Sequence, residues 1–282
     1  MAEGKTEHTK ETHIDAYHKL KIPKDLDYPL IKFHHGADGG VVRHGYGIII
    51  VNKNIKGLEV RQGAENDVSH LQKIYDQYKI QYKGHVHIDL SGEEMKAKLQ
   101  DFADNVGVCP VLFISIASHG GGDGKILGTD REGVTITELV HYFIDDRKML
   151  GIPKVFILQA CRDNHMEVHY NPSDEKVYRK GDHRYTTKAS DVLIAYATSS
   201  GTNAYRSKDR GSWFIQKLYE CVIKWEYRHL HFVELLTICS HMIIDQCHEK
   251  STDKDVRELM TETSSYTSTL SKFLRLPGKH YS

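Results

Sequence analysis

Two apolar runs, Val111-Leu-Phe-Ile-Ser-Ile-Ala117 and Val155-Phe-Ile-Leu158, decide the fold of this 282-residue chain. Each run is short and continuous, a pattern typical of a strand covered on both faces of a sheet. The first leads into Ser118-His-Gly120 and the second into Gln159-Ala-Cys-Arg162. Because the carboxyl ends of parallel strands form the ligand-binding edge of such a sheet, the residues that follow the two runs are predicted to share one crevice.

Strand and helix patterns alternate around these two runs. Further strands are predicted at Tyr46–Val51, near Gly84–Leu90, at Val192–Ala197 and near Ser268–Leu276. Helices are indicated by apolar stripes between the strands, by two capping boxes and by a serine suited to an N-cap. These helix signals are the stripe from Val68 to Tyr78, the boxes Ser91–Glu94 and Thr135–Glu138, Ser212, and the apolar run from His231 to Cys247. The alternation predicts an α/β fold with a mainly parallel sheet and helices on both faces.

The pattern lapses in two places, which divides the chain. Residues 1–44 are polar and weakly periodic, so they are expected to form a mobile leader. Residues 165–189 are too long and polar for an ordinary connection and are expected to form an exposed linker. The linker separates a part at 45–164 from a part at 190–282.

Composition excludes several classes of function. Lys plus Arg and Asp plus Glu both number 38, so no charge excess favours nucleic acid or an anionic membrane as a partner. No apolar stretch approaches the roughly 20 residues of a membrane span, and the N-terminus lacks the apolar core of a secretory signal. Five scattered cysteines without a CxxC pair argue against a disulfide framework. A reduced, cytoplasmic location is therefore expected.

Histidines offer a weak case for a metal site. His85 and His87 share one face of a predicted strand, but no cysteine or carboxylate cluster accompanies them at ligand spacing. No metal and no other cofactor is expected.

Cys161 and His119 together suggest nucleophilic chemistry. A cysteine protease needs a thiolate, an imidazole that transfers the proton, and amides that hold the oxyanion. Each residue alone has a plainer interpretation: Cys161 as a buried cysteine, His119 as a hydrogen-bonding residue at a strand end, and Arg61 and Arg206 as solvated charges.

The combination of Ser118-His-Gly120 with Gln159-Ala-Cys-Arg162 resembles the caspase family, whose cysteine motif is known in this form. The resemblance runs from about residue 46 onward and includes Arg61-Gln-Gly-Ala-Glu-Asn-Asp67, Ala195-Tyr-Ala-Thr198 and Tyr205-Arg206 followed by Gly211-Ser-Trp-Phe-Ile-Gln216. It implies a caspase-like fold with a six-stranded, mostly parallel twisted sheet. It also implies an endopeptidase that cuts proteins after Asp, closest in layout to the executioner caspases of apoptosis.

The family pattern assigns roles to residues of this chain. Cys161 would be the nucleophile, His119 its partner, and the amides of Gly120 and Cys161 the oxyanion hole. The carbonyl of Glu59 would polarise the imidazole. Guanidinium groups suit a buried substrate carboxylate because they offer paired donors at fixed geometry. The residues expected to bind the substrate are Arg61, Gln159, Arg206, Ser118, Tyr205 and Trp213, although Trp213 could equally be a core aromatic.

The resemblance also implies a zymogen that matures into a homodimer of large (45–164) and small (190–282) subunit pairs. Asp174 and Asp182 are the candidate cleavage sites in the linker, and Asp38 could release the leader. The leader is expected to be too short for a recruitment domain, which favours an executioner. An upstream activating protease and inhibitor proteins are possible partners.

Some positions depart from the family pattern. Asp163 replaces a glycine and adds a carboxylate beside the nucleophile, Asn203 and Tyr205 replace aromatics, and Ser207 replaces an asparagine. These changes motivate one alternative, a catalytically impaired homologue that regulates a partner caspase by dimerisation. Another alternative is a metacaspase that cuts after Arg or Lys; it is disfavoured because such sites use acidic residues where this chain has arginines.

Overall fold

The computed structural model describes residues 44–161, 177–178, 185–186, 190–199, 204–227, 229–251 and 262–275. The predicted leader therefore lies outside the described residues except for His44, and so does the predicted linker except for residues 177–178 and 185–186.

The described strands and helices alternate in the order that the sequence predicts. The strands are β1 Gly45–Val51, β2 Ile80–Gln81, β3 Val86–Ile88, β4 Leu112–Ala117, β5 Lys125–Leu127, β6 Gly133–Thr135, β7 Lys154–Gln159, β8 Val177–Tyr178, β9 Tyr185–Thr186, β10 Val192–Tyr196, β11 Arg206–Ser207, β12 Gly211–Ser212 and β13 Ser265–Ser268. The α-helices are α1 Ala64–Gln77, α2 Gly92–Asn105, α3 Ile136–Ile144, α4 Trp213–Ile223 and α5 Phe232–Ser251.

The central sheet has the strand order β13, β10, β7, β4, β1, with β2 and β3 both beyond β1. β2 pairs with the first residues of β1 and β3 with the last, so these two strands share one edge and the sheet has six positions across. Every pair is parallel except β10 with β13. β4 and β7, the two strands that carry the motifs, are central and adjacent.

Helices cover both faces because the inner strands bury both sets of alternate side chains. Ile49 and Val51 of β1 belong to the core that contains α1, α4 and α5. Ile48 and Ile50 belong to the second core, which contains α2 and α3. Period-two alternation in a strand apolar at every position thus produces two cores, one on each face.

Local signals at the helix starts have different outcomes. The capping boxes at Ser91 and Thr135 are both formed, with side chain and backbone bonded in each direction. Ser212 stands at the N-cap of α4 as predicted, but its side chain makes no cap hydrogen bond. Its hydroxyl donates instead to Asp67 Oδ2 at 2.7 Å.

The last strand was predicted too late in the chain. β13 ends at Ser268, where the predicted strand near Ser268–Leu276 was to begin. Leu274, within the predicted range, is buried, and its carbonyl accepts the backbone N–H of Phe232 at the start of α5 at 2.8 Å. The hairpins β5–β6 and β11–β12 were not predicted, because their strands have only two or three residues each.

Candidate active site

The carboxyl ends of β4 and β7 are held together by backbone hydrogen bonds up to the two motifs. Ala117 lies opposite Gln159 in the parallel register, and the Ser118 N–H donates to the Gln159 carbonyl at 2.9 Å. Residues 118–120 and 159–161, called the floor below, therefore lie side by side. A Cβ atom on Gly120 would collide with the carbonyl oxygen of Cys161, so the close approach requires glycine at this position.

The imidazole of His119 has a defined orientation. Its Nε2 atom lies 2.9 Å from the carbonyl oxygen of Glu59, the contact predicted from the sequence. A carbonyl only accepts hydrogen bonds, so Nε2 carries the hydrogen and Nδ1 is the basic nitrogen of the neutral ring. Burial lowers the pKa of His119, and the positive charges of Arg61 and Arg206 add to that effect. The ring is therefore a neutral base near pH 7.

Cys161 differs from the other four cysteines, all of which lie in described residues. Cys109, Cys221, Cys239 and Cys247 are buried, whereas Cys161 is partly exposed. Burial raises the pKa of Cys109 to about 11 and that of Cys221 to about 12. Because the thiolate is the reactive form of cysteine, those buried thiols are inert, and Cys161 is the accessible one.

Arg61 is a buried cation held by three acceptors. Its side chain is 2% exposed; Nη1 donates to the carbonyl of Asn52 at 3.0 Å, and Nη2 lies 3.3 Å from Asp67 Oδ2 and 3.4 Å from Ser212 Oγ. Burial lowers the pKa of Arg61 to about 10, against the opposing effect of Asp67. Arg61 therefore stays positively charged at neutral pH.

Asp67 is a site residue to which the sequence analysis assigned no role. It is fully buried on α1, where Oδ1 accepts the Ser212 backbone N–H at 2.7 Å and Oδ2 also accepts the Ser212 hydroxyl. Asp67 stands one helical turn before Leu71, and two before Ile74, on the buried stripe of α1. A carboxylate on an apolar stripe needs a cationic partner, and that signal could have identified it.

Arg206 also lines the cleft and belongs to residues 204–208, which we call the outer segment. It begins the β11–β12 hairpin and pairs in register with Ser212. The side chain is half-buried, and burial lowers its pKa. Gly63, with φ of 83°, lets α1 approach this hairpin: a Cβ there would lie 2.6 Å from the Ser207 carbonyl.

These elements enclose a cleft of about 300 Å³. The predicted site residues that line it are Arg61, Ser118, His119, Gln159, Cys161, Tyr205 and Arg206. Trp213 is not among the lining residues. It is buried at the start of α4, with its ring centroid 5.3 Å from that of Tyr205, and its backbone N–H donates to the Tyr205 carbonyl at 3.1 Å. Trp213 thus supports the wall from behind.

Two polar side chains of the floor differ in how their hydrogen bonds are used. The Ser118 hydroxyl donates to the Leu127 carbonyl at 2.6 Å, so its hydrogen is not available to a ligand. The Gln159 amide is buried, and its oxygen has no hydrogen-bond partner among the described residues. Rotation about the last side-chain bond exchanges the amide oxygen and nitrogen, so Gln159 can offer a donor to an anion in the cleft.

The arrangement combines an accessible thiol with a positively charged pocket. An accessible thiol and a neutral imidazole line the same cleft as two guanidinium groups, and both guanidiniums interact electrostatically with Cys161. The charge favours a substrate with a carboxylate close to the bond that the thiol attacks.

Several predicted positions lie outside the described residues. They are Asp38, Arg162, Asp163, Asp174, Asp182 and Asn203.

The described part of the chain outside the cleft has no feature suited to a metal ion or a membrane span. There, no three or more His, Cys, Asp or Glu side chains are grouped so as to hold a metal ion. His85 packs edge-on against Phe102, with ring centroids 5.0 Å apart. None of the helices in those residues combines the length and apolarity needed to cross a bilayer.

Comparison with known proteins identifies relatives of this chain in sequence and in fold. A family model described as the caspase domain matches residues 44–272. Caspase-7 of Gallus gallus is 29% identical over 217 residues, covering 73% of this chain and 69% of that protein. Caspase-3 of Bos taurus is 29% identical over 262 residues, 88% of this chain and 87% of that protein. The crystal structure of caspase-1 from Spodoptera frugiperda superposes with a TM-score of 0.67 at 22% identity, covering 93% of this chain and 98% of that one, which confirms the predicted fold class.

Proposed function

This chain belongs to the caspase family, and from that premise we propose that it is a cysteine endopeptidase that cleaves proteins after aspartate. Cys161 is the nucleophile and His119 the base. The observation that carries the proposal is the cleft itself, in which an accessible thiol and a neutral imidazole lie beside two arginines.

The reaction follows from the orientation of His119. Nδ1 takes the thiol proton, and the sulfur attacks the carbonyl carbon of the substrate aspartate. Backbone amides of Gly120 and Cys161 hold the oxyanion. His119 then gives the proton to the leaving amine, and the C–N bond breaks to leave a thioester. Water, deprotonated by the same ring, hydrolyses the thioester and restores the thiol. The Glu59 carbonyl keeps Nε2 protonated throughout.

The preference for aspartate comes from charge and reach. Arg61 and Arg206 offer paired donors to one carboxylate, and the amide of Gln159 adds a third group. Arg61 is fixed by its protein acceptors before any substrate arrives, so little side-chain entropy is lost on binding. The side chain of Tyr205 lines the pocket, and Trp213 supports it from behind.

Peptide hydrolysis tests the proposal directly. Among fluorogenic peptides that differ only at P1 (Asp, Glu, Asn or Arg), the Asp peptide is expected to be cut far faster than the others. Cys161→Ala abolishes turnover, whereas the matched thiol variant Cys109→Ala retains it. Preference for Arg would instead indicate a metacaspase-like activity. Absence of turnover in a folded, dimeric protein would support the regulatory homologue.

Maturation and role extend the proposal. An upstream protease cuts the leader (1–44) after Asp38, which removes residues 1–38, and cuts the linker (165–189) after Asp174 or Asp182. The 45–164 and 190–282 parts then form the subunit pair of a homodimer. Membership of the family supports a cytoplasmic executioner role in apoptosis. Inhibitor proteins would act on the enzyme in that role. N-terminal sequencing of the active enzyme should reveal new termini after these aspartates; full activity in an uncut chain would refute the maturation scheme.

A further inference from the structure

Glu262 is a buried carboxyl group next to the outer segment. It directly precedes the segment that leads into β13 and is 1% exposed. Its Oε2 atom accepts the backbone N–H of Tyr205 at 2.6 Å, while Oε1 is buried and has no hydrogen-bond partner among the described residues. Tyr205 immediately precedes Arg206, so this contact holds the backbone one residue before a side chain that lines the cleft.

The described residues around Glu262 supply no compensating cation. Within the described residues, no Lys, Arg or His side chain forms an ion pair with it. The titratable groups nearby are the thiols of Cys239 and Cys247 on α5. Lys217 and Glu220 of α4 interact electrostatically with Cys239 and are paired with each other at 3.0 Å. A buried carboxylate with no cation is costly, so the neutral acid is the stable form.

The segment around Glu262 is fixed to the ends of the neighbouring strands. The Thr263 carbonyl accepts the Ser199 N–H at 2.7 Å, just after β10, and the Ser265 hydroxyl donates to the Thr198 carbonyl at 3.3 Å. The Glu262 side chain therefore extends from a supported backbone towards the outer segment, whose own two strands are only two residues long. A rigid support that contacts a short hairpin through one side chain can set the position of that hairpin.

We propose that Glu262 is a positioning residue: in its neutral form the carboxyl group fixes Tyr205 and thereby holds Arg206 at the wall of the cleft. The inference rests on the proposed function for its effect on substrate, but the position of the outer segment can be measured without turnover. When the carboxyl ionises, the buried charge is relieved by water, which requires the outer segment to move away.

The direction of the pH effect follows from burial. Burial raises the pKa of Glu262 to about 8, whereas an exposed glutamate has a pKa near 4.3. Closing the segment therefore binds a proton at any pH between these two values. The closed form is most stable below the lower of these pKa values. As the pH rises from the lower to the upper value, the ratio of closed to open molecules falls by at most about tenfold per pH unit. Above about pH 8 no further loss occurs.

Three variants separate this role from simple packing. Glu262→Gln keeps an acceptor for the Tyr205 N–H and is neutral at every pH, so it is expected to bind substrate like the wild type at pH 6 and better at pH 8. Glu262→Leu fills the space without an acceptor and is expected to raise KM at every pH with kcat little changed. Glu93→Gln makes the same chemical change on the exposed surface of α2 and is expected to have no effect.

The decisive readout is a ratio. The KM of the wild type divided by that of Glu262→Gln, for a fluorogenic peptide with Asp at P1, should rise between pH 6 and pH 8 by about 5- to 50-fold, within the limit of one bound proton. Titration of His119 affects both proteins and cancels. A ratio that stays flat across this range overturns the proposal.

Hydrogen exchange tests the proposal without requiring catalytic activity. In Cys161→Ala protein, the Tyr205 amide should lose protection relative to Glu262→Gln over the same pH range, with the intrinsic exchange rate cancelling in the comparison. If the wild type cuts no peptide but this loss is seen, the positioning role stands and the proposed function fails. Equal protection in the two proteins at every pH would refute the role of Glu262 whether or not the enzyme is active.

Discussion

The floor and the outer segment line the same cleft, but they are held in place by different means. The floor continues two central strands, β4 and β7, which are hydrogen-bonded along their whole length and buried on both faces. The outer segment belongs to a hairpin with two residues per strand, and buried side chains of other elements hold it: Asp67 through Ser212, Glu262 through Tyr205. Cys161 and His119, the proposed nucleophile and base, are thus placed by main-chain bonds, whereas the proposed substrate recognition depends on a few individual side chains.

Substitution of Asp67 is expected to have the largest effect, because this residue contacts both Arg61 and the hairpin. Asp67→Asn keeps the shape but leaves the Arg61 guanidinium buried without a carboxylate. Removing one partner of a buried ion pair typically costs about 3–5 kcal/mol, so the free energy of unfolding, measured by urea denaturation, should fall by about that amount.

The control for this prediction is Glu65→Gln on the same helix. Glu65 pairs with Lys53 at 3.3 Å on the surface, where an ion pair contributes about 0–1 kcal/mol. If Asp67→Asn were as stable as Glu65→Gln, the outer segment would not depend on this carboxylate.

Substitutions of the two arginines separate an effect on substrate binding from an effect on stability. Arg206→Lys keeps the charge but loses the paired donors, and hydrogen bonds to charged groups contribute about 1.5–3 kcal/mol. We expect kcat/KM for an Asp peptide to fall by about 10- to 100-fold with the unfolding free energy almost unchanged.

Arg61→Lys should lower both quantities, because Arg61 also bonds to Asn52, Asp67 and Ser212. Equal destabilisation by the two substitutions would show that the outer segment is as integral to the fold as the floor.

Tyr205 tests the support that the outer segment receives from α4. Its ring packs against Trp213, and aromatic pairs of this kind contribute about 0.5–1.5 kcal/mol beyond area burial. Tyr205→Ala is expected to raise KM by about 2- to 10-fold with a smaller change in kcat. Tyr205→Phe keeps the ring and should stay close to the wild type; a large effect of Tyr205→Phe would assign the role to the hydroxyl group.

The smallest expected effect is the electrostatic coupling between Arg206 in the outer segment and His119 in the floor. The positive charge of Arg206 helps to lower the pKa of His119. Removing that charge makes protonation of the ring easier, so the pKa of His119 should rise slightly in Arg206→Gln. NMR titration of the imidazole in Cys161→Ala protein measures the shift, and Lys98→Gln on α2 should leave it unchanged. A downward shift would mean that Arg206 does not face the imidazole.

Sequence reasoning succeeded where local pattern and backbone bonding coincide. Both capping boxes formed, and the strands around the two motifs lie within a residue of the predicted limits. It was less successful for residues whose partners are remote in the chain. Ser212 was expected to cap a helix through its side chain, but its hydroxyl bonds to Asp67, 145 residues away. Glu262 and Tyr205 are 57 residues apart, and no periodicity predicts their contact.

From the sequence alone came the order of strands and helices, the placement of His119 and Cys161 just past the ends of two separate strands, and the resemblance to caspases. These depend on periodicity and short motifs, which are properties of contiguous residues. Only the tertiary structure decided that Asp67 joins Arg61 to the opposite hairpin, that Trp213 lies behind the wall, and that a buried carboxyl group from the C-terminal part holds Tyr205. Those contacts join segments that pack together only once both cores have formed, and burial then determines which polar groups must find partners.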